Sequence, residues 1–123
     1  MEERFQNDIG TAEETAVPIE KEEAKFKAED FLLKVRPFKF EGKEYDTVDL
    51  RKLQTMTTRQ IQRVETALIE EGLGTQAVWT SLRGATIIAA VLNEMPKEWL
   101  DGMSAKDGIT VRNVVFAFFI GLV

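Results

Sequence analysis

The sequence contains no cysteine and no histidine, and each absence excludes a class of chemistry. Without cysteine there are no disulfide bonds, thiolate nucleophiles or thiolate metal ligands. Without histidine the chain lacks the commonest general base and the commonest zinc ligand. We therefore expect a non-enzymatic protein with no catalytic residues, no cofactor and no bound metal.

Long apolar runs and a basic excess are missing as well. No stretch approaches the roughly 20 apolar residues of a membrane-spanning helix. The first ten residues, MEERFQNDIG, do not have the basic and then apolar order of a signal peptide. The net charge of −5 gives no electrostatic footprint for nucleic acid. We expect a soluble, cytoplasmic protein that binds neither membranes nor nucleic acid.

The negative charge is concentrated at the start of the chain. Residues 1–24 carry eight acidic and two basic side chains, a net charge of −6, which leaves +1 for the remainder. Such a segment buries too little apolar surface to offset the entropy lost on ordering. We interpret 1–24 as a flexible acidic tail and 25–123 as a single, mostly helical domain. The tail is either a solubilising extension or a partner-binding strip that uses Phe5, Ile9, Val17 and Ile19.

Aromatic and charged residues alternate over Phe38–Tyr45, which reads FKFEGKEY. Alternation around a glycine-containing turn predicts a β-hairpin near residues 38–46. The preceding stretch, Ala24–Val35, fits a helical face. Alternatively, Phe31–Phe40 is extended, because Pro37 disfavours helix at Arg36. We expect a short helix that gives way to a strand near residue 33. A lone hairpin is marginal in water, so it must lie on an apolar surface, and the next helix is the nearest candidate.

The best-specified element is a capped helix, Met56–Leu73. Thr57 and Gln60 have the spacing of a capping box, and Gly72 can adopt the left-handed conformation that ends a helix. Three- and four-residue spacing places an apolar stripe on one face, formed by Ile61, Val64 and Leu68. The pattern describes a structural helix without chemistry of its own.

A second helix is predicted from Thr75, as its cap, to about Met95. Its second half, TIIAAVL, is apolar nearly all round, which indicates a helix buried on most sides. Proline then stops the helix. The following segment, Pro96–Gly102, predicts a single turn that lays Trp99 and Leu100 on the core.

The last helix is predicted to begin at Ser104, three residues before Asp107, in a weaker form of the capping box. Gly108 weakens its first turn. The fold class is therefore mainly α: a small helical domain with an N-terminal β-hairpin and a disordered acidic N-terminal tail.

The last ten residues contain more large apolar side chains than one helix face can hold. Val114–Val123 has no charged or amide side chain. Exposing several large apolar side chains is costly, so they need a cover. The cover is the centre of a helical bundle, a second copy of the chain, or missing sequence of an incomplete chain. We expect a homo-oligomer, with a protein-interaction surface formed by Val114, Val115, Phe116, Phe118, Phe119, Ile120 and Leu122.

No grouping of polar residues indicates a catalytic, phosphate-binding or metal site. Adjacent acidic residues such as Glu70 and Glu71 do not converge on one face of a helix. Ser81 and Ser104 have no histidine to activate them. A short basic strip, which we interpret as ordinary surface, is formed by Arg51, Lys52, Arg59 and Arg63.

Two longer stretches carry a family-like pattern. They read RPFKFEGKEYDTVDLRKLQTMTTRQIQRVETALIEEG from residue 36 and MPKEWLDGMSAKDGITVRNVVFAFFIG from residue 95. They combine an aromatic hairpin, a leucine-bearing link, a Thr-capped helix and a closing pattern, S-x-x-D…V-x-N-x-V-x-x-F. The closing pattern is formed here by Ser104, Asp107, Val111, Asn113, Val115 and Phe118. Over residues 36–121 the chain resembles the tail assembly chaperones of long-tailed phages and prophages of Gram-positive bacteria.

The resemblance implies a mostly helical, non-enzymatic protein of the bacterial host cytoplasm. It would coat the tape measure protein during tail morphogenesis, present it to the major tail protein, and be absent from the finished particle. Many members are extended by a programmed ribosomal frameshift, which would suit a chain that ends in FFIGLV. Two other hypotheses stay open. One is a small structural tail or head-completion protein of the virion; the other is a helix-turn-helix regulator, which the net acidity disfavours.

Overall fold

The computed structural model describes residues 28–75 and 78–121. In this part of the chain a β-hairpin precedes three α-helices. The strands are β1 (Leu32–Phe40) and β2 (Lys43–Asp49), and the helices are α1 (Thr58–Glu70), α2 (Leu82–Leu92) and α3 (Ala105–Phe119). Single 3₁₀ turns occupy Ala28–Phe31 and Arg51–Thr55. The predicted tail over residues 1–24 lies outside the described residues.

The predicted hairpin is confirmed, and it is longer than the sequence indicates. Antiparallel pairing runs from Leu32 opposite Asp49 to Phe40 opposite Lys43. The two turn residues both have positive φ, 52° at Glu41 and 83° at Gly42, which is the type I′ geometry that matches strand twist. The expected change from a short helix to a strand near residue 33 is confirmed, because the 3₁₀ turn at Ala28–Phe31 is followed by β1 from Leu32.

The register of the hairpin is irregular between Lys34 and Phe38. Pro37 lies in this interval and has no N–H to donate to the ladder. The backbone N–H of Arg36 bonds to a side chain of α3 instead of the ladder. The irregularity thus creates a contact between the hairpin and a helix.

The sequence predicts that the hairpin packs on the capped helix α1, but its apolar face lies mainly on other elements. β2 contacts α2, and β1 contacts α3, whereas α1 packs chiefly against α2. Trp99, from the turn after α2, packs against two hairpin rings, with centroids 5.9 Å from Phe38 and 5.5 Å from Tyr45. The expectation that the capped helix supports the hairpin is therefore wrong. The Trp99 ring, together with α2 and α3, provides the apolar surface that a two-stranded hairpin needs.

The caps of α1 are those predicted. The hydroxyl of Thr57 accepts from the Gln60 N–H over 3.2 Å, and the Gln60 side chain accepts from the Thr57 N–H over 2.8 Å. At the other end Gly72 has a φ of 82°, and the N–H of Leu73 donates to the carbonyl of Leu68 over 2.8 Å. These bonds satisfy backbone groups that a helix leaves free at each end.

The second helix begins later than predicted. Ser81 caps it by accepting from the Gly84 N–H over 2.9 Å, so Thr75 does not cap this helix. At its other end Glu94 has a φ of 57°, and the Met95 N–H donates to the carbonyl of Ala90 over 2.8 Å. This left-handed stop ends α2 before the proline does. Eight of its eleven residues are buried, which confirms the prediction of a buried helix.

Charged residues join the ends of these elements into one network. Glu71, after α1, accepts from Arg83 of α2 over 2.7 and 2.8 Å and from Lys97 over 3.1 Å. Arg83 also donates to Asp101 over 3.0 Å. The bonds from Arg83 and then Lys97 lower the pKa of Glu71 to about 2. Lys97 and Asp101 belong to the segment Pro96–Gly102, which also buries Trp99 and Leu100, as predicted.

Candidate protein-interaction surface

The inner face of α3 belongs to the core. Val111 and Val115 have no exposed area, and Val114 is 8% exposed. Val114 and Val115 were expected on the interaction surface, but their position on the helix turns them towards α2 and the hairpin. Within this fold both belong to the hydrophobic core beneath the surface.

The outer face of α3 carries a line of exposed apolar side chains. Ile109, Phe116 and Ile120 are 42%, 39% and 46% exposed. Their spacing of seven and four residues places them along one side of a helix. We call these three residues the α3 apolar stripe. Asn113, also exposed, interrupts the stripe between Ile109 and Phe116.

The other two phenylalanines of the predicted set are half-buried. Phe118 meets Phe31 edge to face, with centroids 6.3 Å apart. Phe119 stacks on Trp79 with centroids 4.9 Å and ring planes 18° apart. Trp79 itself is 38% exposed, so it widens the apolar surface beside the stripe. The last predicted residue, Leu122, lies outside the described residues.

Sequence reasoning missed Ile109 and Trp79 as parts of this surface. Ile109 could have been found, because it lies two helical turns before Phe116 on the same face. Trp79 could not, since its ring reaches Phe119 only through the tertiary fold. The sequence predicts apolar residues around the whole C-terminal end of the helix. In the structure the exposed ones lie on one side of α3 and begin at Ile109, near its start.

The first turn of α3 is anchored by polar contacts. The Ser104 hydroxyl accepts from the Asp107 N–H over 3.2 Å, as a cap. The Asp107 carboxylate does not return to the Ser104 N–H, as a capping box requires; it accepts from the Ser104 hydroxyl and from the Arg36 backbone N–H, both over 2.9 Å. The Arg36 bond is the main reason that the pKa of Asp107 lies below its ordinary value, although desolvation opposes it.

Within the described ranges, acidic side chains do not gather into a group that could hold a metal ion. Asp49 instead accepts from Arg51 over 2.8 and 2.9 Å, and this bond lowers the pKa of Asp49. No helix in the described part of the chain is long and apolar enough to cross a membrane. The line of exposed apolar side chains on the outer face of α3 is the candidate interaction surface.

Comparison with known proteins gives a family. No curated protein and no solved structure matches the chain. Residues 32–120 match the family described as "Phage tail assembly chaperone proteins, E, or 41 or 14". The matched segment runs from the first residue of β1 to the last residue of the α3 apolar stripe, which is most of the chain. The chain therefore belongs to the phage tail assembly chaperone family.

Proposed function

We propose that this protein is a non-enzymatic chaperone that binds the tape measure protein through the α3 apolar stripe during tail assembly. It would act in the bacterial host cytoplasm and present its client to the major tail protein. The observation that supports this role most directly is the stripe itself, since its side chains stay exposed on a helix whose other face is fully packed.

The geometry of the stripe favours a helical client. Apolar residues at this spacing on one helix form the contact line of paired helices. A client helix with its own apolar side would cover Ile109, Phe116 and Ile120 together. The contact would be a pairing of two amphipathic helices, in which a few apolar anchors supply most of the affinity.

The free energy available from the stripe is moderate. Burying a large apolar side chain completely contributes about 1.5–3 kcal/mol. The three stripe residues are each a little under half exposed, so covering each would contribute about 1 kcal/mol by the same measure. Such a surface suits reversible shielding of a client, which an assembly chaperone requires.

A second copy of the chain can cover the same stripe before the client arrives. We propose that the free protein forms a homo-oligomer through α3 and that client binding competes with it. Phe116 and Ile120 are the residues to change in a test, because Phe118 and Phe119 pack against the core. In Phe116→Ser with Ile120→Ser, sedimentation velocity should show a shift towards monomer. An unchanged concentration dependence would contradict self-association through the stripe.

Co-expression with the tape measure protein of the same phage tests the main proposal. The wild-type chain should keep the client in the soluble fraction, and Phe116→Ser with Ile120→Ser should lose most of that effect. The matched control is Leu32→Ser with Ile69→Ser, two exposed apolar residues on β1 and α1. Equal loss in both double variants, or no loss in either, would reject the stripe as the client site.

Two alternatives make different predictions. A structural protein of the virion would remain in purified particles, where mass spectrometry would detect it; a chaperone would be absent.

A helix-turn-helix joins its helices by a turn of three or four residues. The described helices are joined by the longer segments 71–81 and 93–104, and α2 is too deeply buried to enter a DNA groove.

A further inference from the structure

The basic strip expected from the sequence divides into paired and unpaired arginines. Arg51 is held by Asp49. Arg59 and Arg63, on α1, take part in none of the ion pairs between described residues. Both are exposed, and at a rise of 1.5 Å per residue they lie about 6 Å apart along one side of the helix. Their guanidinium groups therefore have no ion-pair partner within residues 28–75 and 78–121 and are exposed to an external anion.

The placement of these arginines gives the fold no benefit. Like charges four residues apart on a helix repel each other. The first turn of a helix favours acidic side chains and the last turn favours basic ones, but α1 has neither an acidic residue in its first turn nor a basic one in its last. Local features that oppose stability are expected where a surface serves a partner.

A shallow, open groove runs along this side of α1, and its described lining belongs to that helix alone. Its volume is about 380 Å³. The described residues that line it are Arg59, Gln62, Arg63, Thr66, Ala67 and Glu70. The groove is thus basic at one end, has an amide and a hydroxyl in the middle, and ends at a carboxylate about 16 Å from the first arginine.

We propose that this groove binds an acidic segment of a polypeptide partner. Arg59 and Arg63 would hold two carboxylates one helical turn apart, in the bidentate geometry that guanidinium groups favour. Gln62 and Thr66 would bond to peptide groups of the same segment. A nucleic acid fits less well, because its phosphates are regularly spaced and would meet Glu70 at the far end of the groove, whereas a peptide can carry its carboxylates opposite the arginines alone.

The site lies on α1 and goes beyond the apolar client site on α3. Its partner is sought among the tail proteins, so that choice rests on the proposed function. The probe is an array of overlapping synthetic peptides that covers the tape measure and major tail proteins of the same phage. The labelled full chain should bind peptides that contain acidic residues three or four positions apart, and bind them less when these residues are changed to Gln or Asn.

Two double variants of equal net charge make the test specific. Arg59→Gln with Arg63→Gln removes the pair in the groove, and Lys39→Gln with Lys43→Gln removes two exposed charges from the hairpin. The groove variant should bind the acidic peptides about tenfold more weakly or worse, since charge-assisted hydrogen bonds are lost. The hairpin variant should stay within about twofold of wild type. Urea unfolding should show the groove variant at least as stable as wild type.

Three results would overturn the inference. One is equal weakening in both double variants, which would indicate net charge alone. Another is the absence of binding to any acidic peptide. The third is displacement of bound peptide by duplex DNA at physiological salt, which would make the groove a nucleic-acid site. The groove variant should still solubilise the tape measure protein, so failure here leaves the test of the α3 stripe unaffected.

Discussion

The carboxylate of Asp107 accepts a 2.9 Å hydrogen bond from the backbone N–H of Arg36, which precedes it by 71 residues. This bond joins the first turn of α3 to the point where the pairing of β1 and β2 becomes irregular. It supplies a partner for a backbone donor that does not join the strand ladder. The helix with the apolar stripe is thereby fixed to the hairpin at its starting end.

Removing the Asp107 carboxylate should destabilise the fold. Asp107→Ala leaves the Arg36 N–H without its acceptor and removes the bond to Ser104, and we expect the free energy of unfolding to fall by about 1–2 kcal/mol. Asp107→Asn keeps an acceptor oxygen and should lose less. Urea unfolding of the three proteins checks the order. An Ala variant as stable as wild type would show that water replaces the bond at no cost.

Stability should fall in acid because of Glu71. Its folded-state pKa, about 2, lies below its ordinary value of 4.5. The ion-pair network therefore contributes fully above about pH 4.5, and the contribution is lost as the pH falls through the window down to about 2. The lowered pKa values of Asp49 and Asp107 act in the same direction.

The measurement is the urea midpoint between pH 7 and pH 2 for wild type and Glu71→Gln. The variant should be less stable at pH 7 and should lose less stability on acidification, since its side chain has no charge to lose. Glu70→Gln is the matched control, because Glu70 is in no ion pair between described residues. If Glu71→Gln and Glu70→Gln had the same pH profile, the network would not be the cause.

Replacing Gly108 by alanine should raise the stability of the fold, whereas replacing Gly102 by alanine should lower it. A Cβ at Gly108, in the first turn of α3, would lie 3.5 Å from the Leu82 side chain, an ordinary contact. Gly108→Ala should therefore gain about 0.5–1 kcal/mol from helix propensity. A Cβ at Gly102 would lie 3.3 Å from the backbone carbonyl of Lys39, which cannot easily move, so Gly102→Ala should lose stability. Thermal unfolding of both variants tests the pair, and a gain at Gly102 would contradict it.

Glu94 ends α2 in a conformation that suits glycine. Its φ of 57° brings its Cβ close to its own backbone, and Glu94→Gly should raise the free energy of unfolding by about 0.5–1 kcal/mol. Glu94→Ala removes the charge but keeps the Cβ, so it should gain much less. Equal gains in the two variants would indicate that charge, rather than backbone conformation, limits stability here.

Local chemistry made some elements predictable. The capping box at Thr57 and Gln60 and the left-handed stop at Gly72 depend only on neighbouring residues, and both are observed. The hairpin turn is predictable for the same reason. Glu94 carries no such signal, because glutamate rarely takes a positive φ and does so here at the end of a packed helix.

Features that depend on distant residues were not predictable. A strand is predicted from near residue 33, but its start at Leu32 is fixed by pairing with Asp49 of β2 rather than by the local pattern. The C-terminal apolar residues suggested a surface around the end of the chain, but packing on α2 and the hairpin takes the valines into the core. The spacing of Ser104 and Asp107 predicts a capping box, yet the Asp107 carboxylate accepts from the backbone N–H of Arg36 in β1, 71 residues earlier in the chain.

Asn113 has a consequence for how a partner would align on the stripe. It lies between Ile109 and Phe116, and its side-chain carbonyl accepts a 3.4 Å bond from Arg112. A helix that covers the stripe also covers the Asn113 amide, which costs free energy unless the partner offers an acceptor to its NH₂ group. A partner helix shifted along α3 would no longer place its acceptor opposite Asn113, so the hydrogen bond forms in one register only. A single polar residue would thus set the register of the complex, while its apolar neighbours set the strength.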